Sequence, residues 1–160
     1  MQKQKPYEIL RSMGLLYWAM LLGLVMLVAL SAWFVNHTGA ALGNDPQSQY
    51  IVNTVLIFLL IAIAPLSYIV PQRMIAAIDR TLPLEDKLLR YKLPVLIRYF
   101  LLNMAGSLIA VGFMLSGNTN LMYLQAIVML FFLVYKPSPF KVASDLDLNE
   151  QERQKLMPEN

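Results

Sequence analysis

From Ser12 to Val35 the chain runs for about 24 residues without a charged side chain, and a helix of about 20 apolar residues already spans the hydrocarbon core of a bilayer. A secretory signal's apolar region is only about 7–15 residues long, so this one is expected to remain as an uncleaved first helix. Tyr50 to Val70 is a second uncharged stretch of about 21 residues. Val95 to Leu115 is a third, with Arg98 near its start, and Leu121 to Lys136 makes a shorter fourth. At about 1.5 Å per residue the apolar part of the fourth reaches only some 22 Å, so flanking residues must complete its span.

Composition agrees with this division. Hydrophobic residues are 58% of the 160 and charged residues 14%, too apolar for an ordinary soluble domain. The net charge of +3 therefore carries no weight for nucleic acid; the basic residues have a simpler use in setting topology. With no cysteine, disulfides, thiolate metal sites and thiol nucleophiles are excluded.

Orientation follows from where the 13 Lys and Arg fall. All lie in the first tail, in the stretch from Arg73 to Arg98, or after Tyr135, and none lies in the turn-rich connections 36–49 and 116–120. If both termini and the central linker share one side, the positive-inside rule makes that side cytoplasmic and requires an even number of spans. The expected fold is thus an all-α membrane protein, a four-helix transmembrane bundle of two hairpins with cytoplasmic N- and C-termini. Its transmembrane domain covers 1–136, with spans at about 12–35, 50–70, 95–115 and 121–136. Trp33, Phe34, Tyr50 and Tyr123 are expected in the outer aromatic belt, and Tyr68, Tyr91, Tyr99 and Tyr135 in the inner one.

Residues 71–94 read as a cytoplasmic helical linker. Met74, Ile75, Ile78 and Leu82 continue an apolar stripe, Leu84, Leu88, Tyr91 and Val95 resume it, and bends are expected at Pro65 and Pro94. Lys5 to Arg11 and Lys92 to Arg98 share the spacing of a basic residue six places before an Arg, a hint of parallel duplication. Residues 137–160 form a polar cytoplasmic tail, expected to be solvated and mobile. Ser144 and Asn149 resemble helix caps there, a short helix is expected over Glu150 to Met157, and Leu146, Leu148, Leu156 and Met157 are what a docking peptide would use.

Ionisable residues deep in a span usually mark relays or substrate paths, and no span here carries one at its centre. Arg11 and Arg98 stand near the cytoplasmic ends, where snorkelling is expected; with Arg73 they are the candidate contacts to lipid phosphates. The candidate intramembrane polar contacts are Asn53, Asn103, Ser107 and Gln125. Asn103, Gly106, Ser107 and Ala110 share one small, hydrogen-bonding helix face, and Ala19 with Gly23 offers another, patterns that mark helix packing more often than a ligand path.

His37, the one histidine, is too little for a metal site even with Asp45. Asp79, Glu85 and Asp86 could hold a divalent ion, but the cations between them make helix-face ion pairs the simpler expectation. No catalytic motif is found, so neither enzymatic activity nor a cofactor is expected. The leading expectation is an accessory or interaction subunit of a plasma- or inner-membrane assembly, whose partners are membrane lipids and either its own copies or a larger membrane protein. An oligomeric small-solute transporter or channel is the alternative, lined by the amides; a lipid-processing enzyme comes third.

Overall fold

Proline and short polar side chains set most of the helix starts. The computed structural model describes residues 6–42 and 45–156. Helix α1 (Pro6–Thr38) opens on a proline. Before α2 (Pro46–Ala76), the Asp45 carboxylate accepts the backbone N–H of Gln47 and of Ser48, two donors that a helix N-terminus leaves free. The hydrogen bonds from Ser48 and Gln47 hold that carboxyl below its ordinary range. Helix α3 (Leu84–Ser116) follows Pro83 and ends at Gly117, whose φ of 65° is one that glycine adopts without steric penalty. Then come α4 (Asn120–Val134), α5 (Pro139–Asp145), capped by Ser138, and α6 (Glu150–Gln154). No strand occurs among the described residues.

The chain is all-helical, and α1, α2 and α3 are each long and apolar enough to cross a membrane. Helix α4, 15 residues long, is shorter than these, and it meets the same length and composition test only when counted with α5, which leaves it at an 80° bend. The linker is made of the ends of two long helices. Helix α2 passes through Pro65 and Pro71 as one helix, α3 passes through Pro94 in the same way, and residues 77–83 alone turn the chain. Ser67 Oγ donates to the carbonyl of Ala64, 2.7 Å away.

Helix α3 is the centre. Half of its apolar window is buried, against 22% for α1 and for α2, because α1, α2 and α4 all pack on it. Two mutually packed hairpins are therefore not what forms: α1 and α2 are consecutive, yet each takes α3 as its main neighbour. The physical reason lies in the small residues. A Cβ at Gly106 would stand 2.7 and 2.8 Å from the Leu24 methyls of α1, and one at Gly112 only 2.0 Å from Leu56 Cδ1 of α2. Such close approach is what brings lipid-embedded helices together, and α3 offers it on two sides. Gly23, by contrast, has nothing within 4 Å of a Cβ, and it and Ala19 are exposed, so that second small-residue pair makes no helix contact within this chain.

At the end of α3 away from the basic residues, the connection after α1 folds over the helix terminus. The N–H groups of Ala41 and Leu42 donate to the carbonyls of Met114 and Leu115 at 3.0 and 2.9 Å, satisfying acceptors that a helix C-terminus leaves open. Tyr50, Tyr123 and Trp33 are exposed, in keeping with a belt at that end. Tyr91 and Tyr99 are not belt residues: each is 2% exposed, enclosed by the central position of α3.

The tail departs furthest from expectation. Val142, Leu146 and Leu156 are fully or almost fully buried, and Leu148 nearly so. The tail is docked on its own chain. Burying an aliphatic side chain of this kind contributes about 1.5–3 kcal/mol, enough for several together to order a short segment. Ser144 lies inside α5 and caps nothing, whereas Asp147 turns the chain with φ of 49°. The Asn149 cap is present as a full capping box: Glu152 N–H donates to Asn149 Oδ1 (2.8 Å) and Asn149 N–H to Glu152 Oε2 (3.2 Å). Met157 lies outside the described residues.

Candidate functional site

Three helices meet at Gly106. On one side of it Asn103 Nδ2 donates to the carbonyl of Met20 in α1 at 3.0 Å, and Ser107 Oγ donates to Asn103 Oδ1 at 3.3 Å. On the other, Gln125 of α4 brings its Nε2 within 3.1 Å of where a Gly106 Cβ would be. Gln125 is 2% exposed, and neither amide atom has a hydrogen-bond partner. The structure thus gathers Asn103, Ser107 and Gln125 at one junction of α1, α3 and α4. Asn53 does not join them; it is half-buried on α2, its Oδ1 without a partner.

Of the three arginines, Arg11 and Arg73 are exposed as expected. Arg98 is not, and the snorkelling expectation fails for it: the residue is 4% exposed. Its guanidinium carbon lies 4.5 Å from the centroid of the Tyr135 ring at the end of α4, a cation–π contact. Its Nε has no partner, and no carboxylate pairs with it among the described residues.

Aromatic rings fill the space beside Arg98. Tyr99 OH donates to the Tyr135 carbonyl at 2.9 Å. The Tyr17 ring meets Tyr99 edge-on at 5.4 Å, and Phe132 stacks on Tyr99 at 6.2 Å. Lys136 Nζ stands 5.7 Å from the centroid of the Trp18 ring. These residues tie α1, α3 and α4 together at the basic end.

One turn or more beyond, the tail closes on the first turns of α3. Lys87 Nζ pairs with Glu152 Oε1 at 2.9 Å, with side chains 7% and 18% exposed. Tyr91 OH donates to Asp145 Oδ2 at 2.8 Å, and Arg80 Nη1 donates to the Asp145 carbonyl at 3.1 Å. Asp145 also pairs with Lys141 at 3.3 Å. Burial pushes the Glu152 carboxyl up, but hydrogen bonds from Lys87 and from the Asn149 N–H outweigh it and hold it below its ordinary value. Lys87, Tyr91, Asp145 and Glu152 were not singled out as a set from sequence. Their signal was present as charge complementarity between a cationic linker and an acidic tail that carries regularly placed leucines.

Of the acidic residues considered for a divalent ion, Asp79 has a local use. Asp79 Oδ1 accepts the N–H and the hydroxyl of Thr81 at 2.9 and 2.8 Å, which hold its carboxyl below the usual range. His37 Nδ1 lies 2.9 Å from the Trp33 carbonyl on its own helix. Two cavities bear on function. An open polar depression of about 430 Å³ lies at the far end among Gln49, Ser116, Asn118 and Thr119. A groove of about 100 Å³ lies between α2 and α4, floored by Leu102 and Ala105 of α3 and apolar throughout. Neither Asn53, Asn103 nor Gln125 lines either one. Compared with protein families, with curated proteins and with solved structures, the chain matches none.

Proposed function

We propose that this protein is a four-span accessory subunit of a plasma- or inner-membrane assembly, with both termini, the 77–83 turn and the docked tail on the cytoplasmic side. The observation that carries the reading is the position of α2. It has α3 as its one extensive helical neighbour, and most of its long apolar surface is exposed, a face on which another membrane helix can pack.

The amide set favours this role over transport. Asn103 is engaged with the α1 backbone, which is how amides act as helix glue, and Gln125 is enclosed at a helix junction without lining a cavity. A solute path needs its polar groups on one shared cavity, and these amides share none of the cavities described. The reading assigns no catalytic role and no cofactor. Asp145 and Glu152, which with Lys87 make the most enclosed ion-paired cluster described, are engaged in holding the tail.

The test is mild-detergent purification with identification of what copurifies, followed by the double replacement Asn103→Leu with Gln125→Leu. Native mass and solute uptake into vesicles are measured side by side. Loss of assembly with unchanged uptake supports the accessory role. Loss of a measurable flux with assembly intact gives the chain to the transporter class instead.

A further inference from the structure

The groove between α2 and α4 and the enclosed Arg98 belong to one site. Ile63 and Ala64 of α2 and Val128 and Phe131 of α4 form the walls, Leu102 and Ala105 of α3 the floor, and the surface is apolar. Arg98 precedes Leu102 by four residues and Ala105 by seven, so all three lie on one face of α3. Tyr135, whose ring covers the Arg98 guanidinium at 4.5 Å, follows Phe131 by four and shares its face of α4 in the same way. The cation and its aromatic cover therefore stand one turn beyond the groove, toward the basic end, on two of the three helices that build it.

The geometry points to a binding site for one anionic phospholipid of the cytoplasmic leaflet, an acyl chain lying in the groove and the phosphate held by Arg98. The site rests on the bilayer orientation proposed above. Three observations choose this occupant over a second copy of the chain. The cation at the mouth is 4% exposed and has an unpartnered Nε, and a buried charge without a counter-charge is strongly unfavourable. The carboxylate on the nearby tail, Asp145, is already engaged by Lys141 and Tyr91. The groove above is lined by apolar side chains and floored by a small one, which suits a flexible hydrocarbon chain. Arginine's fork of donors matches phosphate oxygens, and the Tyr135 ring holds the guanidinium in place from one side.

The probes are phosphatidylglycerol and phosphatidylcholine with identical chains, added to the full-length protein in detergent and counted by native mass measurement. The wild type is expected to retain one phosphatidylglycerol with a preference of about tenfold over phosphatidylcholine, as a charge-assisted contact gives. Arg98→Gln removes the preference, Arg98→Lys keeps part of it, and Ala105→Phe, which fills the floor of the groove, lowers retention of both lipids. Equal retention of the two lipids by the wild type overturns the site. So does a preference that survives Arg98→Gln or, if that variant does not fold, retention of both lipids that is unchanged in Ala105→Phe. A lipid-independent dimer broken by Ala105→Phe also overturns it and gives the groove to a second copy. Carbonate extraction of the same membranes tests the spanning reading separately: release into the soluble fraction removes that reading, whereas retention with no lipid preference removes only this site.

Discussion

Glu152→Gln should release the tail. In the native protein Lys87 is 6% exposed as a residue, and its Nζ lies 2.9 Å from Glu152 Oε1. Removing one partner of a fully buried ion pair costs about 3–5 kcal/mol, because the other charge is left without compensation. Glu152 keeps some water contact, with its side chain 18% exposed, and glutamine retains a neutral acceptor, so roughly 2–3 kcal/mol is the appropriate scale after that reduction. At 1.36 kcal/mol per factor of ten, this is an increase of about 30-fold or more in local opening. Hydrogen exchange reads it directly at the Leu146, Leu148 and Leu156 amides, which donate to Val142, Ala143 and Arg153 within the docked tail. The amides of central α3 serve as the internal reference and should not change. The double variant Lys87→Met with Glu152→Leu should recover most of the protection, since apolar replacement of both partners is often neutral or better. Exchange in Glu152→Gln within threefold of wild type would refute the claim that this pair holds the tail.

Further outcomes follow from the same contacts. Acid should release the tail as well: the folded Glu152 carboxyl lies below its ordinary 4.5, so its contribution is complete above that value and fades as pH falls through the lower folded one, which exchange between pH 6 and 3 will show. Leu146→Ala, at a fully buried position, should cost about 2–5 kcal/mol of tail protection, whereas Phe140→Ala, 72% exposed with its ring 5.5 Å from the Arg153 guanidinium carbon, should cost no more than about 0.5–1 kcal/mol. Gly106→Ala must displace Leu24 and should lower stability to detergent unfolding by about 1–3 kcal/mol; Gly23→Ala, with open space around it, should not lower it. Asn103→Leu removes the hydrogen bond to Met20 and should cost about 0.6–1.7 kcal/mol in the same assay.

Helix extents were largely legible in the sequence because they depend on local quantities. The uncharged runs and the Asn149 cap are each read within a few residues, whereas helix α5 after Ser138 was not anticipated. One local rule misled. The tail has few apolar residues and was expected to stay in solvent, but those few meet the apolar stripe at the start of α3, where Leu84 and Leu88 are buried. The site was legible only in pieces. Asn103 and Ser107 declared themselves by spacing, and Arg98 by its place at a helix mouth, but neither showed which helix would stand opposite.

Taken alone, the order of residues determined an all-helical, highly apolar chain with its cations confined to one set of segments, since hydropathy and charge add up along a strand of covalent bonds. Only tertiary packing decided that α3 takes the centre, that Arg98 is enclosed under Tyr135 while Arg11 stays exposed, and that the acidic tail closes on Lys87. Those outcomes depend on contacts between residues tens of positions apart. The close approach that Gly106 and Gly112 allow from two sides selects among arrangements that are equally apolar.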